Sequence, residues 1–141
     1  MNYREDTSIK FMIVMNKMVA SLQHKLNPHF KTLEIHETEF FVLFALDSNG
    51  PMTIQDIGAK INMTSGTMTY VIDKLEKKGY IKRVRCDEDR RRIYIELTDL
   101  GKEFWKDIIV KHMKQMDDSF SHMTEDEMLQ LIELMKKVGK G

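Results

Sequence analysis

Apolar residues in the first part of the chain recur at helical steps. Ile9, Ile13, Asn16, Val19, Leu22 and Leu26 follow one another at three- or four-residue intervals, which predicts a long amphipathic helix. Asn27-Pro28 is expected to end it, because the residue before a proline is pushed out of the helical region. The nearly unbroken run from Phe40 to Leu46 predicts a second helix that must be covered on most sides, stopped by Asp47-Ser48-Asn49-Gly50-Pro51. Thr53, with Asp56 three residues on, opens a short helix that turns Ile54, Ile57 and Ile61 inward. Asn62 then stands where a tight turn needs a left-handed residue, and Thr64 caps a helix running to about Lys78, with Met68, Val71, Ile72 and Leu75 buried and Gly79 as its stop. After Gly79 the period changes to two. Tyr80 to Arg85 and Arg92 to Leu97 alternate, with Ile81, Ile93, Ile95 and Leu97 apolar, and read as a two-stranded ribbon. The helical period returns from Asp99 to about Phe120 through Leu100, Phe104, Ile108, Met113, Met116 and Phe120. A capping box, Thr124 to Glu127, then opens a last helix carrying Met128, Leu131, Ile132, Met135 and Val138. Gly139 to Gly141 are expected to fray.

Helix, turn, helix and ribbon in that order make a winged helix. The fold class is mainly α with a small β-ribbon, a winged helix-turn-helix between flanking helices. Residues 35–98 form its DNA-binding domain, with a recognition helix at about 64–78 and a wing at about 80–97, between an N-terminal helical region, 1–34, and C-terminal helices, 99–141. A chain of 141 residues suits one domain with helical extensions. No apolar run reaches the roughly 18 residues of a membrane span, and MNYRED carries acids where a secretory leader carries bases, so a cytoplasmic location is expected. The single cysteine, Cys86, agrees with a reducing compartment.

The formal net charge is zero, yet the charge is segregated. Between Lys60 and Arg92 stand ten bases against five acids, a net of +5, which leaves −5 on the rest of the chain. A polyanion responds to that local field. On the recognition helix Ser65, Thr67, Thr69, Tyr70 and Lys74 avoid the apolar stripe, and such small hydroxyl-bearing residues can approach phosphates and base edges. An ordinary solvated helix face would look similar. The loop CDEDRRRIYIELT, Cys86 to Thr98, decides between the two readings, because a wing tip beside a minor groove accounts for its three arginines. A winged helix used for protein–protein assembly would need neither feature.

Met52-Thr53-Ile54, Ile57 to Ile61, Thr64 to Thr69, Leu75 to Ile81, Arg83 and, most specifically, Asp89-Arg90-Arg91-Arg92-Ile93-Tyr94-Ile95-Glu96-Leu97-Thr98 with Gly101 resemble the MarR family of bacterial transcription regulators. The resemblance extends over nearly the whole chain. It implies a homodimer, joined through the N-terminal helix and the two C-terminal ones, that binds pseudo-palindromic double-stranded DNA and represses nearby genes. Mutual burial of the C-terminal stripes across a two-fold axis fits that arrangement, with packing inside one chain as the alternative. The resemblance places Arg91 in the minor groove, with Asp89 holding its guanidinium, and Ser65, Thr67, Thr69 and Tyr70 on the recognition helix behind Thr64 as cap. Arg90 and Arg92 are then phosphate contacts or counter-ions to Asp87 and Glu88. This sequence departs from the family at Tyr70, where an arginine is frequent, and at His36, where Thr or Ser usually caps the second helix.

The resemblance also implies a small apolar or phenolic effector. Met12, Met15 and Met18 with Phe40, Phe41 and Phe44 are candidates to line its pocket, although methionines at helical spacing are more often plain core. Cys86 is a redox candidate, since Arg83 and Arg85 favour its thiolate while three nearby acids oppose it; the family's peroxide sensors carry their cysteine near the N-terminus. Histidines 24, 29, 36, 112 and 122 include no pair four residues apart, so no metal site is assigned and no cofactor is required. No phosphate loop or nucleophile motif points to an enzyme.

Overall fold

The computed structural model describes residues 5–140. Met1 to Arg4, on which the leader reading partly rests, and Gly141, expected to fray, lie outside the described residues, whereas Gly139, also expected to fray, is helical. The elements are α1 Thr7–Thr32, α2 Glu37–Asn49, β1 Met52–Thr53, α3 Ile54–Ile61, α4 Ser65–Lys77, β2 Ile81–Arg85, β3 Ile93–Leu97, α5 Asp99–Ser119 and α6 Glu125–Gly139. This is the mainly helical winged-helix architecture the sequence predicts. The chain divides into two compact units, up to Ile109 and from Val110 onward, with the division inside α5.

In the first unit α1 does not stop at Pro28. The helix continues to Thr32, and its last turn and cap bring Phe30 and Leu33 to 4% and 5% exposure. Burying two such side chains is worth about 1.5–3 kcal/mol each, which offsets the roughly 3 kcal/mol a proline costs inside a helix. The earlier stripe fares differently, since Ile13 and Val19 are 46% and 44% exposed. Helix α2 buries Phe40, Val42, Leu43, Ala45 and Leu46 but leaves Phe41 and Phe44 at 41% and 49%, so it is covered on fewer sides than its apolar run predicts. Trp105 of α5, which lies off the expected stripe, is buried with its ring 5.0 Å from that of Phe40, while Leu100 of that stripe is exposed.

The helix-turn-helix follows its sequence signals. Thr53 Oγ1 accepts the Asp56 N–H at 3.2 Å to start α3. Asn62 at φ 57°, ψ 49° takes the left-handed turn, and Gly79 at φ 82° ends the α4 region. Ile57, Met68, Ile72 and Leu75 meet Ile81 and Ile95 in the core. The sheet has three strands in the order β1-β3-β2, with Met52 opposite Ile95. A two-residue strand such as β1 offers no alternation to read, so the sequence shows only the hairpin. Within that hairpin Ile81 and Ile95 are buried, but Ile93, paired with Arg85 at the outer end, is 39% exposed.

Beyond Val110 the chain finishes α5 and, after a Thr124 capping box, forms α6, none of whose residues is buried. No helix among the described residues is long and apolar enough to cross a membrane.

Candidate nucleic-acid interface

Helix α4 has one buried stripe, Met68, Val71, Ile72 and Leu75, and the hydroxyl residues occupy the rest of its first half. Ser65, Thr67, Thr69 and Tyr70 are all exposed, Tyr70 to 68%. Thr64 holds the N-cap position without the expected cap bond: its hydroxyl pairs with Thr67 Oγ1 at 3.1 Å, so the first-turn amides have no side-chain acceptor. The Thr69 hydroxyl donates back to the Ser65 carbonyl at 3.1 Å, which turns it along the helix.

Lys74 points away from a simple phosphate role. Its ammonium lies 3.5 Å from Glu39 Oε1, and Lys78, one turn on, donates to both oxygens of that carboxylate at 3.1 Å. Glu39 is 1% exposed and also accepts the His36 N–H at 2.8 Å. Burial opposes its ionisation, but the His36 amide and the two lysines outweigh that effect and hold its carboxyl below the usual range. His36 does cap α2, its Nδ1 accepting the Thr38 N–H at 3.3 Å. The start of α2 is thereby bound to the recognition helix.

The wing is tied to the same helix on its other side. Arg83 of β2 forms ion pairs with Asp73, at 2.6 Å, and Glu76, both on α4. The hydrogen bond Arg83 donates to Asp73, against the opposing effect of partial burial, and the charge of Glu76 raise the guanidinium pKa further. At the tip, Cys86 N–H donates to the Arg92 carbonyl at 3.0 Å and Arg92 N–H to the Asp89 carbonyl at 2.9 Å. Asp89 does not grip the Arg91 guanidinium. Its Oδ1 accepts the Arg91 main-chain N–H at 3.1 Å, so the acid shapes the loop, and no ion pair involves Arg91 among the described residues. Arg90, Arg91 and Arg92 are all exposed.

The residues expected to line an effector pocket are brought together only in part. Phe40 is core, packed against Phe30 and Trp105. Phe44 instead joins Phe41, Lys60 and Ile61 along an open groove of about 530 Å³ between α2 and α3, to which Met12 and Met15 of α1 do not contribute. Cys86 is half-buried just beyond the outer end of β2, at the wing tip rather than its base, and no cluster of three potential metal ligands occurs among the described residues.

Sequence reasoning singled out the hydroxyls and wing arginines but missed Glu39 and Lys78. A glutamate at the third position of a helix reads as a capping residue, and nothing in the spacing announces a partner 39 residues away.

A helix-turn-helix whose second helix and ribbon tip are both exposed, polar and mutually braced defines a winged-helix DNA-binding fold. The sequence model described as MarR family matches residues 35–93. The transcriptional regulator MhqR of Bacillus subtilis is 34% identical over 134 residues, covering 95% of this chain and 92% of that protein. A mutant MarR from E. coli, solved in complex with operator DNA, superposes at TM-score 0.78 with 22% identity, covering 98% of each chain. NadR, solved with 4-hydroxyphenylacetate, superposes at 0.74 with 21% identity, covering 96% of this chain and 95% of that one. The chain belongs to the MarR family and is a transcriptional regulator.

Proposed function

We propose that the protein is a repressor whose homodimer binds a pseudo-palindromic operator in double-stranded DNA and is released by a small apolar or phenolic effector. The observation that carries this reading is the bracing of α4, to α2 through Glu39 and to β2 through Arg83, with the hydroxyl face left open between. Ser65, Thr67 and Tyr70 meet the major groove; Arg91 enters the adjacent minor groove, and Arg90 meets phosphates, on a loop shaped by Asp89. Two such helices about 34 Å apart reach successive major grooves. Residues 1–34 and 99–141 supply the dimer contacts. The structure of MarR with operator DNA supports the DNA partner, and that of NadR with 4-hydroxyphenylacetate supports the effector class. The protein works in the cytoplasm, where the DNA is.

Arg91→Ala tests the wing. Operator affinity should fall about tenfold or more at unchanged thermal stability, since the side chain is exposed and makes no ion pair. Equal affinity of the two proteins in a mobility-shift titration would refute the assignment.

A further inference from the structure

Lys74 of α4 and Lys78, the helix's C-cap, lie one turn apart, and Lys74 continues the stripe begun by Thr67 and Tyr70. Free lysines at those positions would serve any duplex, because phosphate contacts carry no sequence information. Both are instead held by the buried Glu39, whose carboxylate lies 3.1 Å from Lys78 and 3.5 Å from Lys74. His36, Thr38, Glu39, Thr67, Tyr70, Val71 and Lys74 line one cavity of about 230 Å³, so the carboxylate sits beside the hydroxyl face itself. The lysine side chains keep 43% and 31% exposure and could reach solvent if released.

The geometry points to Glu39 as a specificity-determining residue of the DNA interface, one that withholds Lys74 and Lys78 from phosphates and leaves base-reading hydroxyls as the larger share of what α4 presents. The inference rests on the DNA-binding reading above. Its signature has the opposite sign to structural damage, since loss of the carboxylate strengthens binding to arbitrary sequence.

Glu39→Gln keeps the side-chain oxygen that accepts the His36 N–H and removes the charge. The probes are an operator duplex selected by the wild-type protein from a random pool and a scrambled duplex of equal length, titrated across salt concentrations. The variant should bind the scrambled duplex several-fold more tightly, with the slope of log affinity against log salt steeper by about 0.9 for each lysine freed. Its ratio of operator to scrambled affinity should fall. Adding Lys74→Gln and Lys78→Gln to Glu39→Gln should return the scrambled-duplex affinity and slope to wild-type values, whereas the two lysine changes in the wild-type background should leave them nearly unaltered. Parallel loss of both affinities at unchanged slope, or a triple variant that retains the excess binding, overturns the inference. Should Glu39→Gln fail to fold, strong loss of scrambled-duplex binding on changing the lysines in the wild-type background overturns it as well. Failure of the wild-type protein to select any sequence would overturn the DNA-binding reading itself.

Discussion

A Cβ built on Gly101 would stand 1.9 Å from the Tyr80 carbonyl oxygen and 2.8 Å from its carbon. Both are main-chain atoms, so no rotamer change relieves the overlap. The close approach follows from the start of α5: Gly101 N–H donates to Thr98 Oγ1 at 3.0 Å, that hydroxyl donates to the Gly79 carbonyl at 2.6 Å, and Thr98 N–H donates to the Tyr80 carbonyl at 3.1 Å. Three bonds therefore press the helix start against the end of the α4 turn. Gly101→Ala should destabilise the fold by about 3 kcal/mol or more, as forced backbone shifts in a buried site do. Thermal denaturation should show a fall on the order of 10 °C, and an unaltered midpoint would mean that α5 starts differently.

Between elements, Arg83 is the lateral tie. It joins β2 to α4 through Asp73 and Glu76, so the ribbon carrying the wing cannot rotate freely against the helix it assists. Partly exposed ion pairs are worth only about 0.2–1 kcal/mol each, so Arg83→Met should shift thermal stability little. Operator affinity should drop more than stability does, because the two elements proposed to read DNA would dock with less fixed geometry. A mobility-shift assay beside a melting curve separates the two quantities, and equal proportional losses would argue against a positioning role. The elements themselves were largely legible because caps and periods are local: Thr53, Asn62, Gly79 and Thr124 mark boundaries that backbone chemistry demands. What escaped was non-local. The burial of Phe30 and Leu33 carries α1 through Pro28, β1 exists only through its pairing with β3, and Lys74 turns to an acid on another helix. Asp89 was legible as a partner of Arg91, but whether its carboxylate meets the side chain or the main-chain N–H depends on the conformation of the loop.

Taken each by itself, α1 and α6 leave large apolar side chains exposed. Phe11, Met12 and Val14 of α1 are 51%, 51% and 65% exposed, and Leu129, Leu134, Met135 and Val138 of α6 are 55%, 58%, 51% and 52% exposed. Each such side chain is worth roughly 1.5–3 kcal/mol when fully removed from water, so leaving so many in solvent forgoes a sum comparable to the whole stability of a domain. Scattered apolar residues need no explanation, but helices with much of their apolar face uncovered do. The two-fold axis proposed above would bring a second copy of the chain to cover them. The protein should then sediment at about twice its 16.7 kDa chain mass, with a melting temperature that rises with concentration. Leu134→Lys with Val138→Lys places two charges four residues apart on an α6 face that a single chain leaves in water. The double variant should cost an isolated chain almost nothing, yet sediment as a monomer and lose operator affinity by orders of magnitude, since one half-site would bind without its partner. If it remained dimeric and bound the operator normally, α6 would not belong to the dimer contacts.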